Sequence, residues 1–425
     1  MPQITMTDEP EVLLAQLMAG ELAQDPTIAM DRLREVAPIH RSDQFNGWFL
    51  TRYDDCLELL RSTSFDVALG EHLAIADPRY GDSAFLQNVA NILSFMNPPQ
   101  HTRCRRLVSR AFSPRSLALS RVEIERLVEE CLVQLEGVPA FDFHEQISRQ
   151  IPGNVILTLM DIPVEDRDML LKWSDTIAHA IGPVMADDAL AEADKVVLIY
   201  WDYILELAEQ RRAHPGTDLI SVLVAAEGDE GTLTKPEFVG LTHTMITAGI
   251  ETAQGMLSSG VLAFIQNPTE IDKLLADPSL ASAATEETLR LQAPVQIAFQ
   301  RIAMEDTAIG GQAIAKGEIV NAMLGAGNHD PSAFGPDSHA FRIDRGKAKT
   351  HLTFGNGIHV CVGAALARLE GELTFPRVFE AMPDLQLVED EPHWRSGFMI
   401  RSQDRLLVRR GIAEREPFWD HQNPE

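Results

Sequence analysis

The sequence predicts a mainly α protein, one domain over residues 1–425, built on a long central helix with small β-sheets at its margin. Three observations carry this. Apolar residues recur three and four apart through most of the chain, strand-like runs are few and short, and no repeat, low-complexity tract or long linker interrupts the pattern. Residues 1 to about 20 read as a flexible lead.

Taken in order, "DPTIAMDRLREVAP" has helical apolar spacing with an acidic start and a proline stop. "IHRSDQFNGWFLTR", Ile39 to Arg52, reads as a hairpin around Asn46-Gly47. "SRVEIERLVEECLVQLEG" is a helix ending on Gly137, and "DALAEADKVVLIYWDYILELAEQRRAHPG" a long one ending before Pro215. Thr234-Lys-Pro-Glu237 matches a capping box with Pro236 tolerated in the first turn, and the pattern then runs without proline to Asn267-Pro268. About thirty residues at 1.5 Å each span about 45 Å, enough to cross a domain. Gly249 inside this helix costs roughly 1 kcal/mol against alanine. Either a neighbouring helix packs closely there, or something other than protein needs the room. "AIGGQAIAKGEIV", Ala308 to Val320, suggests paired strands turned by glycines, and "LQLV" with "RLLVRR" a further pair.

Thirty-six basic against 63 acidic residues give a net charge of −27, which argues against nucleic acid or an anionic membrane as a general partner. The N-terminus has no basic segment followed by an apolar stretch, so it is not a secretory signal. Apolar runs fall short of the roughly 20 residues of a spanning helix. Four scattered cysteines, Cys56, Cys104, Cys131 and Cys361, make no secreted disulfide framework. The expectation is a soluble, cytoplasmic protein.

One of those cysteines stands in "FGNGIHVCVGAALARLEGEL", Phe354 to Leu373. Gly355 and Gly357 permit backbone conformations closed to other residues, so that amides can turn toward Cys361. Gly363 removes a side chain where a helix, about Ala364 to Phe375, begins and points its N-terminal dipole at the sulfur. This is a nest for an anionic sulfur. Three other readings compete: a small buried apolar residue, the start of a dinucleotide fingerprint, and a zinc site. Val360 at the third glycine position and the lack of a βαβ unit weigh against the second, and the shortage of ligands beyond His359 and Cys361 against the third. A haem thiolate accounts best for the whole segment.

Phe354-Gly355-x-Gly357-x-His359-x-Cys361-x-Gly363 resembles the haem-binding signature of the cytochrome P-450 superfamily, in its soluble bacterial form. The resemblance extends from about Trp48 to Val408. It implies the cytochrome P-450 fold, with the long helix over haem b (iron protoporphyrin IX), and makes Cys361 the iron ligand, whose thiolate favours O–O cleavage. Phe354, Gly355 and Gly363 then line the cofactor beside that ligand. Ala248-Gly249-Ile250-Glu251-Thr252 is similar to the family's distal segment. There Ala248 and Gly249 lie against haem, Gly249 leaves room for dioxygen, Thr252 hydrogen-bonds the oxygen being reduced, and Glu251 relays protons. The competing possibility is a threonine bonded back to its own helix and a solvated glutamate. Relatives often carry His-Glu-Thr-Thr here, and this chain keeps the acid–alcohol pair.

Glu287-Thr-Leu-Arg290 resembles the family's structural glutamate–arginine pair, with residues three apart on one helix face. The arginine that commonly completes a triad is absent from its usual motif; in "PDSHAFRIDR" His339 or Arg342 would substitute. In "NPPQHTRCRRLVSRAFSPR", His101 and Arg105 lie within about 40° of each other on a helix. By resemblance they hold a haem propionate, with Arg301 and His359 also reaching the propionates. Arg103, Arg106 and Arg110 fall on roughly the opposite face. In so acidic a chain they suggest a docking patch for an acidic redox protein.

The implied reaction is insertion of one oxygen atom from O2 into an organic substrate. Electrons come from NAD(P)H through a separate ferredoxin and ferredoxin reductase, since no flavin, nucleotide or iron–sulfur motif is visible. By resemblance the pocket draws on Leu69 to Leu93, Thr176 to Val197, Thr244, Met245, Thr247, Val295 to Phe299 (Val295, Gln296, Ile297 and Phe299 among them) and Met399-Ile400. This mostly apolar set suggests a lipophilic small molecule, whether terpenoid, steroid, polyketide or aromatic. The protein is expected to be a monomer. A peroxide-driven peroxygenase would need neither redox partner nor acid–alcohol pair. A haem-based sensor would carry a signalling domain, and none is visible.

Overall fold

The computed structural model describes residues 8–68, 77–180, 186–226, 233–389, 391–395 and 397–411. At its centre a helix runs Lys235–Gln266, 32 residues or about 48 Å. It starts as its sequence directs. The Thr234 hydroxyl accepts from the Glu237 N–H, and the Glu237 carboxylate accepts from the Thr234 N–H at 2.9 Å. Its apolar residues do not keep to one side, because helices cover it nearly all round. Those packed on it include Gln150–Leu159, Arg167–Ala180, Ala281–Leu291 and Ala364–Ala381. Leu241, Ile250, Leu257 and Phe264 from the long helix join Val155, Leu289, Phe375 and Phe379 in one core. Where it crosses the last two of those helices, Gly260 brings the backbones together: a Cβ there would lie 2.5 Å from the Phe375 ring and 2.8 Å from Thr288.

Helices Thr27–Val36, Pro114–Gln134 and Asp187–Ala213 form over the segments with the expected periodicity. Two expectations give way to burial. Residues 1 to about 20 read as a flexible lead, yet Pro10–Met18 is a helix with Leu13, Leu14 and Leu17 buried in a second core. The helix expected to end near Phe375 passes through Pro376 to Ala381. A proline inside a helix costs about 3 kcal/mol, but Val378 and Phe379 beyond it are fully buried, and that burial outweighs the break.

The strands are short and peripheral. β1 (Ile39–Ser42) and β2 (Gly47–Leu50) form the expected hairpin, with residues 43–46 as the loop and Asn46 at φ 45°. The hairpin joins β3 (Phe65–Val67), β5 (Arg301–Ala303) and β8 (Ile319–Ala322) in a sheet of order β1-β2-β8-β5-β3, with β4 (Ala140–Asp142) lying elsewhere. β2 and β8 run parallel, pairing Trp48 with Val320. β6 (Thr307–Ile309) and β7 (Gln312–Ile314) turn at Gly310-Gly311, whose φ of 54° and 82° suit a two-residue hairpin loop. β9 (Gln386–Leu387) precedes β10 (His393–Trp394), β11 (Gln403–Arg405) and β12 (Leu407–Arg409). β12 pairs with β9, as expected, and with β4, while β10 pairs with β11. Among the described residues no helix is long and apolar enough to cross a membrane.

Candidate active site

The loop from Phe354 to Gly363 is shaped by its glycines. Gly355 and Gly357 have φ of 66° and 68°, a region that side-chain-bearing residues rarely adopt. The Cys361 N–H donates to the Phe354 carbonyl at 2.8 Å, closing the loop. Helix Ala364–Ala381 then starts with Gly363 as its N-cap, and Gly363 and Ala364 donate backbone N–H bonds toward the sulfur. Cys56, Cys104 and Cys131 are buried, and Cys361 is the exposed cysteine of the four. Protein atoms crowded around the sulfur desolvate the solvent-reached Cys361 thiol and push it up, opposed by the Gly363 N–H, Arg105, Arg368 and the Ala364 N–H. A thiol with cations and two amide donors aimed at it is one that a metal ion deprotonates on binding. Phe354 lies beside it with the Arg368 guanidinium 4.6 Å from its ring centre, and Arg368 is held by Glu286 at 2.6 Å.

The long helix shows a recess on one side. From Glu237 to Phe264 every residue is buried except Ala248, Gly249 and Thr252, which fall within an arc of about 100°. These are three of the positions singled out in the sequence. Thr252 Oγ1 donates to the Ala248 carbonyl at 2.7 Å, the ordinary mid-helix back-bond, which leaves its lone pairs to accept. A Cβ at Gly249 would meet Ile156 of helix Gln150–Leu159 at 2.8 Å, so packing also calls for a glycine there. Glu251 does not face the recess with Thr252. It is buried, and its carboxylate meets Arg395 Nη1 at 2.5 Å.

Four basic side chains converge near the cysteine loop. The rings of His101 and His359 lie 4.2 Å apart, and His101 Nε2 is buried without a hydrogen-bond partner. Arg105 Nη2 donates to the Val360 carbonyl at 2.6 Å. Burial lowers Arg301 to about 10, with Asp66 opposing. Burial, reinforced by Arg105 and Arg301, lowers His101 to about 4. Burial, with Arg301, His101 and Arg105, lowers His359 to about 3. A desolvated cluster whose members repel one another's charge fits an anion, and a pair of carboxylates suits two arginines and two ring nitrogens. Beside the sulfur, this donor set fits a haem carrying propionates.

Other expected residues fall into place differently. Glu287 and Arg290 are both fully buried and joined at 2.8 Å. The third member is Arg345, not His339 or Arg342: its Nε meets Glu287 at 3.0 Å and its Nη1 meets Asp337 at 3.0 Å. Arg342 contributes only its backbone N–H to Glu287, and His339 pairs instead with Asp31. Of the three outward arginines, Arg106 and Arg110 are exposed, whereas Arg103 turns back to the buried Glu237 at 2.5 Å.

The pocket residues divide likewise. Thr244 Oγ1 donates to the Gly240 carbonyl and accepts from the Leu93 N–H; Thr247 donates to the His243 carbonyl. Both hydroxyls are thus engaged within the protein. Met245 lies in the main core, Ile297 in the second core beside Leu13, and Gln296 is buried against the Ala293 carbonyl. Phe299, edge-on to Phe95 at 4.7 Å, remains partly exposed, as do Val295, Met399 and Ile400. Residues 69–76 and 181–185 of the expected walls lie outside the described residues. Arg395 was not foreseen. A lone arginine in "PHWRSG" carries no sequence signal; only the fold brings it to Glu251.

Comparison with known proteins bears on the fold and the family. A family model described as Cytochrome P450 matches residues 184–381. The "Polyketide biosynthesis cytochrome P450 PksS" of Bacillus subtilis (strain 168) is 32% identical over 94% of this chain and 99% of its own length. The "Biotin biosynthesis cytochrome P450" of the same organism is 33% identical over 92% of this chain and 97% of its own. The solved structure of P450BioI in complex with hexadec-9Z-enoic acid ligated acyl carrier protein superposes with a TM-score of 0.86 at 32% identity, covering 92% of this chain and 100% of that one. Fold and relatives together define a monooxygenase of the haem-dependent class. The chain belongs to the cytochrome P450 family.

Proposed function

We propose that this chain is a haem b monooxygenase in which Cys361 is the thiolate ligand of the iron. His101, Arg105, Arg301 and His359 bind the propionates, Phe354, Gly355 and Gly363 cover the cysteine side, and Ala248 and Gly249 the opposite face. Bound there, the haem supplies reductive activation of dioxygen, so that RH, O2, two electrons and two protons give ROH and water. Thr252, on the open face of the long helix, orients and passes protons at its hydroxyl, and Glu251 one residue earlier holds the proton to be passed. Glu287, Arg290 and Arg345 fix the segment behind the cysteine loop and take no part in the reaction. The observation that carries this reading is the lone exposed thiol, with two amide donors aimed at it, beside a buried basic cluster.

The substrate is a lipophilic small molecule, a terpenoid, steroid, polyketide or aromatic, held against Val295, Phe299, Met399 and Ile400. The role of one relative in polyketide biosynthesis and the fatty acyl ligand of the solved neighbour support a lipophilic class. Electrons arrive from NAD(P)H through a separate ferredoxin and ferredoxin reductase. The protein works as a monomer of one domain in the cytoplasm. The test is the spectrum of the reduced carbon monoxide adduct: the wild type gives the red-shifted band of thiolate ligation, and Cys361→Ala loses it. An unaltered band in that variant overturns the assignment. A screen of lipophilic compounds by haem spin-state change then narrows the substrate.

A further inference from the structure

A chain of charged and aromatic side chains runs from helix Ala281–Leu291 to the cysteine loop, and the reaction makes no direct use of it. Arg368, one turn into helix Ala364–Ala381, lays its guanidinium over the Phe354 ring, 4.6 Å from the ring centre. Its Nε donates to one oxygen of Glu286 at 2.6 Å and its Nη2 to the other at 3.4 Å. The second oxygen also meets His351 Nε2 at 3.0 Å. The Thr353 N–H donates to His351 Nδ1 at 3.2 Å, so Nε2 carries the ring proton and gives it to Glu286 as a hydrogen bond. The His351 ring stands 5.4 Å from that of Phe354, which therefore has the imidazole and the guanidinium as neighbours.

The chain is held firmly at its inner end. The Leu352 N–H donates to Asn328 Oδ1 at 2.7 Å, Asn328 Nδ2 to Thr353 Oγ1 at 2.9 Å, and Thr353 Oγ1 to the Leu289 carbonyl at 2.6 Å. The His351 and Glu286 side chains are 1% and 5% exposed and that of Arg368 30%, so only the arginine has an edge in water. Burial raises Glu286, but the bonds from His351 and Arg368 outweigh it and hold the carboxylate below its ordinary value. Burial lowers His351, opposed by Glu286. The imidazole is thus neutral, the carboxylate ionised, and the cation stands at the Phe354 end.

That end adjoins the sulfur. The Phe354 carbonyl accepts the Cys361 N–H at 2.8 Å, so the ring under Arg368 belongs to the residue that closes the cysteine loop. Arg105 and Arg368 are the two cations that favour the thiolate. Arg105 belongs to the basic cluster that fits propionates, and a propionate would neutralise it. Arg368 lies outside that cluster, so its charge reaches the sulfur in the loaded protein as well.

Resting on the reading of Cys361 as the iron ligand, we propose that Arg368, clamped by Glu286 and His351, is a positioning residue that sets the charge felt by the sulfur and through it the reduction potential of the haem. One electron passes from the ferredoxin to the iron with no proton, so the donor is oxidised and the site becomes more negative by one charge. A nearby cation favours that state. The Phe354 ring covers the face of the guanidinium that water would otherwise solvate, and the exposed edge leaves part of the charge screened.

Redox titration of the haem-loaded protein, followed by its absorption without substrate, tests this. Arg368→Gln removes the charge yet can still donate to Glu286. It should lower the equilibrium constant for reduction about tenfold, which is about 59 mV for a one-electron couple. Arg368→Lys keeps the charge without the planar fork and should stay within about twofold of wild type. The C–O stretching frequency of the reduced carbon monoxide adduct gives a second readout. A sulfur relieved of the cation donates more strongly to the iron, so the frequency should fall in Arg368→Gln and hold in Arg368→Lys. An unchanged potential in Arg368→Gln overturns the proposal. So does an equal fall in both variants, since the fork and not the charge would then matter. If Arg368→Gln takes up no haem, Arg368→Met replaces it and keeps the stem on Phe354; loss of haem from both makes Arg368 structural and overturns the proposal too. The red-shifted band of the wild-type adduct separates the two readings. With that band present and the potential unmoved, only the role of Arg368 fails; with the band absent, the Cys361 assignment fails and the proposal with it.

Discussion

Glu287 gathers three donors in the interior: Arg290 at 2.8 Å, Arg345 at 3.0 Å and the Arg342 N–H at 3.1 Å. Arg345 is further bonded to the Phe334 carbonyl at 2.9 Å and to Asp337, so its charge is compensated from every side it faces. Removing one partner from such a network strands the others in a dry place, at a cost of about 3–5 kcal/mol. Arg345→Ala should therefore destabilise the protein by about that much. Arg342→Ala keeps the backbone N–H and loses only exposed ion pairs, and should stay within about 0.5 kcal/mol of wild type. Urea titration of the two variants side by side checks this, and equal losses would show that the third member is not Arg345. Both arginines stand in the same ten-residue stretch, and its spacing alone gives neither precedence. What decides is that residue 342 turns its side chain outward to Asp337 and Asp344, whereas residue 345 turns inward.

At the scale of elements, the crossing at Gly260 sets how closely the long helix meets Ala281–Leu291 and Ala364–Ala381. Gly260→Ala would gain roughly 1 kcal/mol of helix propensity. Against that, the new methyl falls 2.5 Å from a Phe375 ring that is fully buried and packed on Phe264. Overpacking of a core costs about 1–3 kcal/mol, and a pinned ring gives way less than a chain end, so the net effect is a loss of about 1–2 kcal/mol. Gly249→Ala meets only the end of Ile156, which can rotate, and should lose less. Thermal unfolding of the two variants separates them; a Gly260→Ala protein as stable as wild type would mean that the three helices can shift apart. Such crossings leave a plain sign in the sequence, a glycine in a helix, without saying which neighbour needs the space. Helices with caps and a steady apolar period, as at Thr234, were legible for the same reason: their determinants lie within a few residues. The run through Pro376 was not, because the contacts that outweigh the proline come from elements far away in the chain.

Over the whole molecule, a net charge of −27 would repel an acidic electron donor at long range, so its docking would depend on where exposed cations stand together. The Phe354–Gly363 loop was legible because its glycines, histidine and cysteine are contiguous. The proposed docking face was legible only as a group of cations, since helical spacing groups Arg103, Arg106 and Arg110 without showing which of them another element claims. Arg103 is claimed by Glu237, the capping residue of the long helix, which also accepts from Gln100 at 2.8 Å. Reversing its charge would disturb that helix start as well as any partner. Arg106 and Arg110 are exposed and close in sequence to Arg105, which reaches the cysteine loop at Val360. A donor held by these two arginines would therefore sit near the sulfur side of the site. Replacing both with glutamate should slow reduction by an acidic ferredoxin about tenfold at low ionic strength. The difference should shrink as salt screens charges beyond about 10 Å. Stopped-flow reduction across a salt series measures both trends. If the doubly reversed variant is reduced as fast as wild type at low salt, the donor docks elsewhere. If it is slowed equally at every salt concentration, the arginines act by local contact and not by steering.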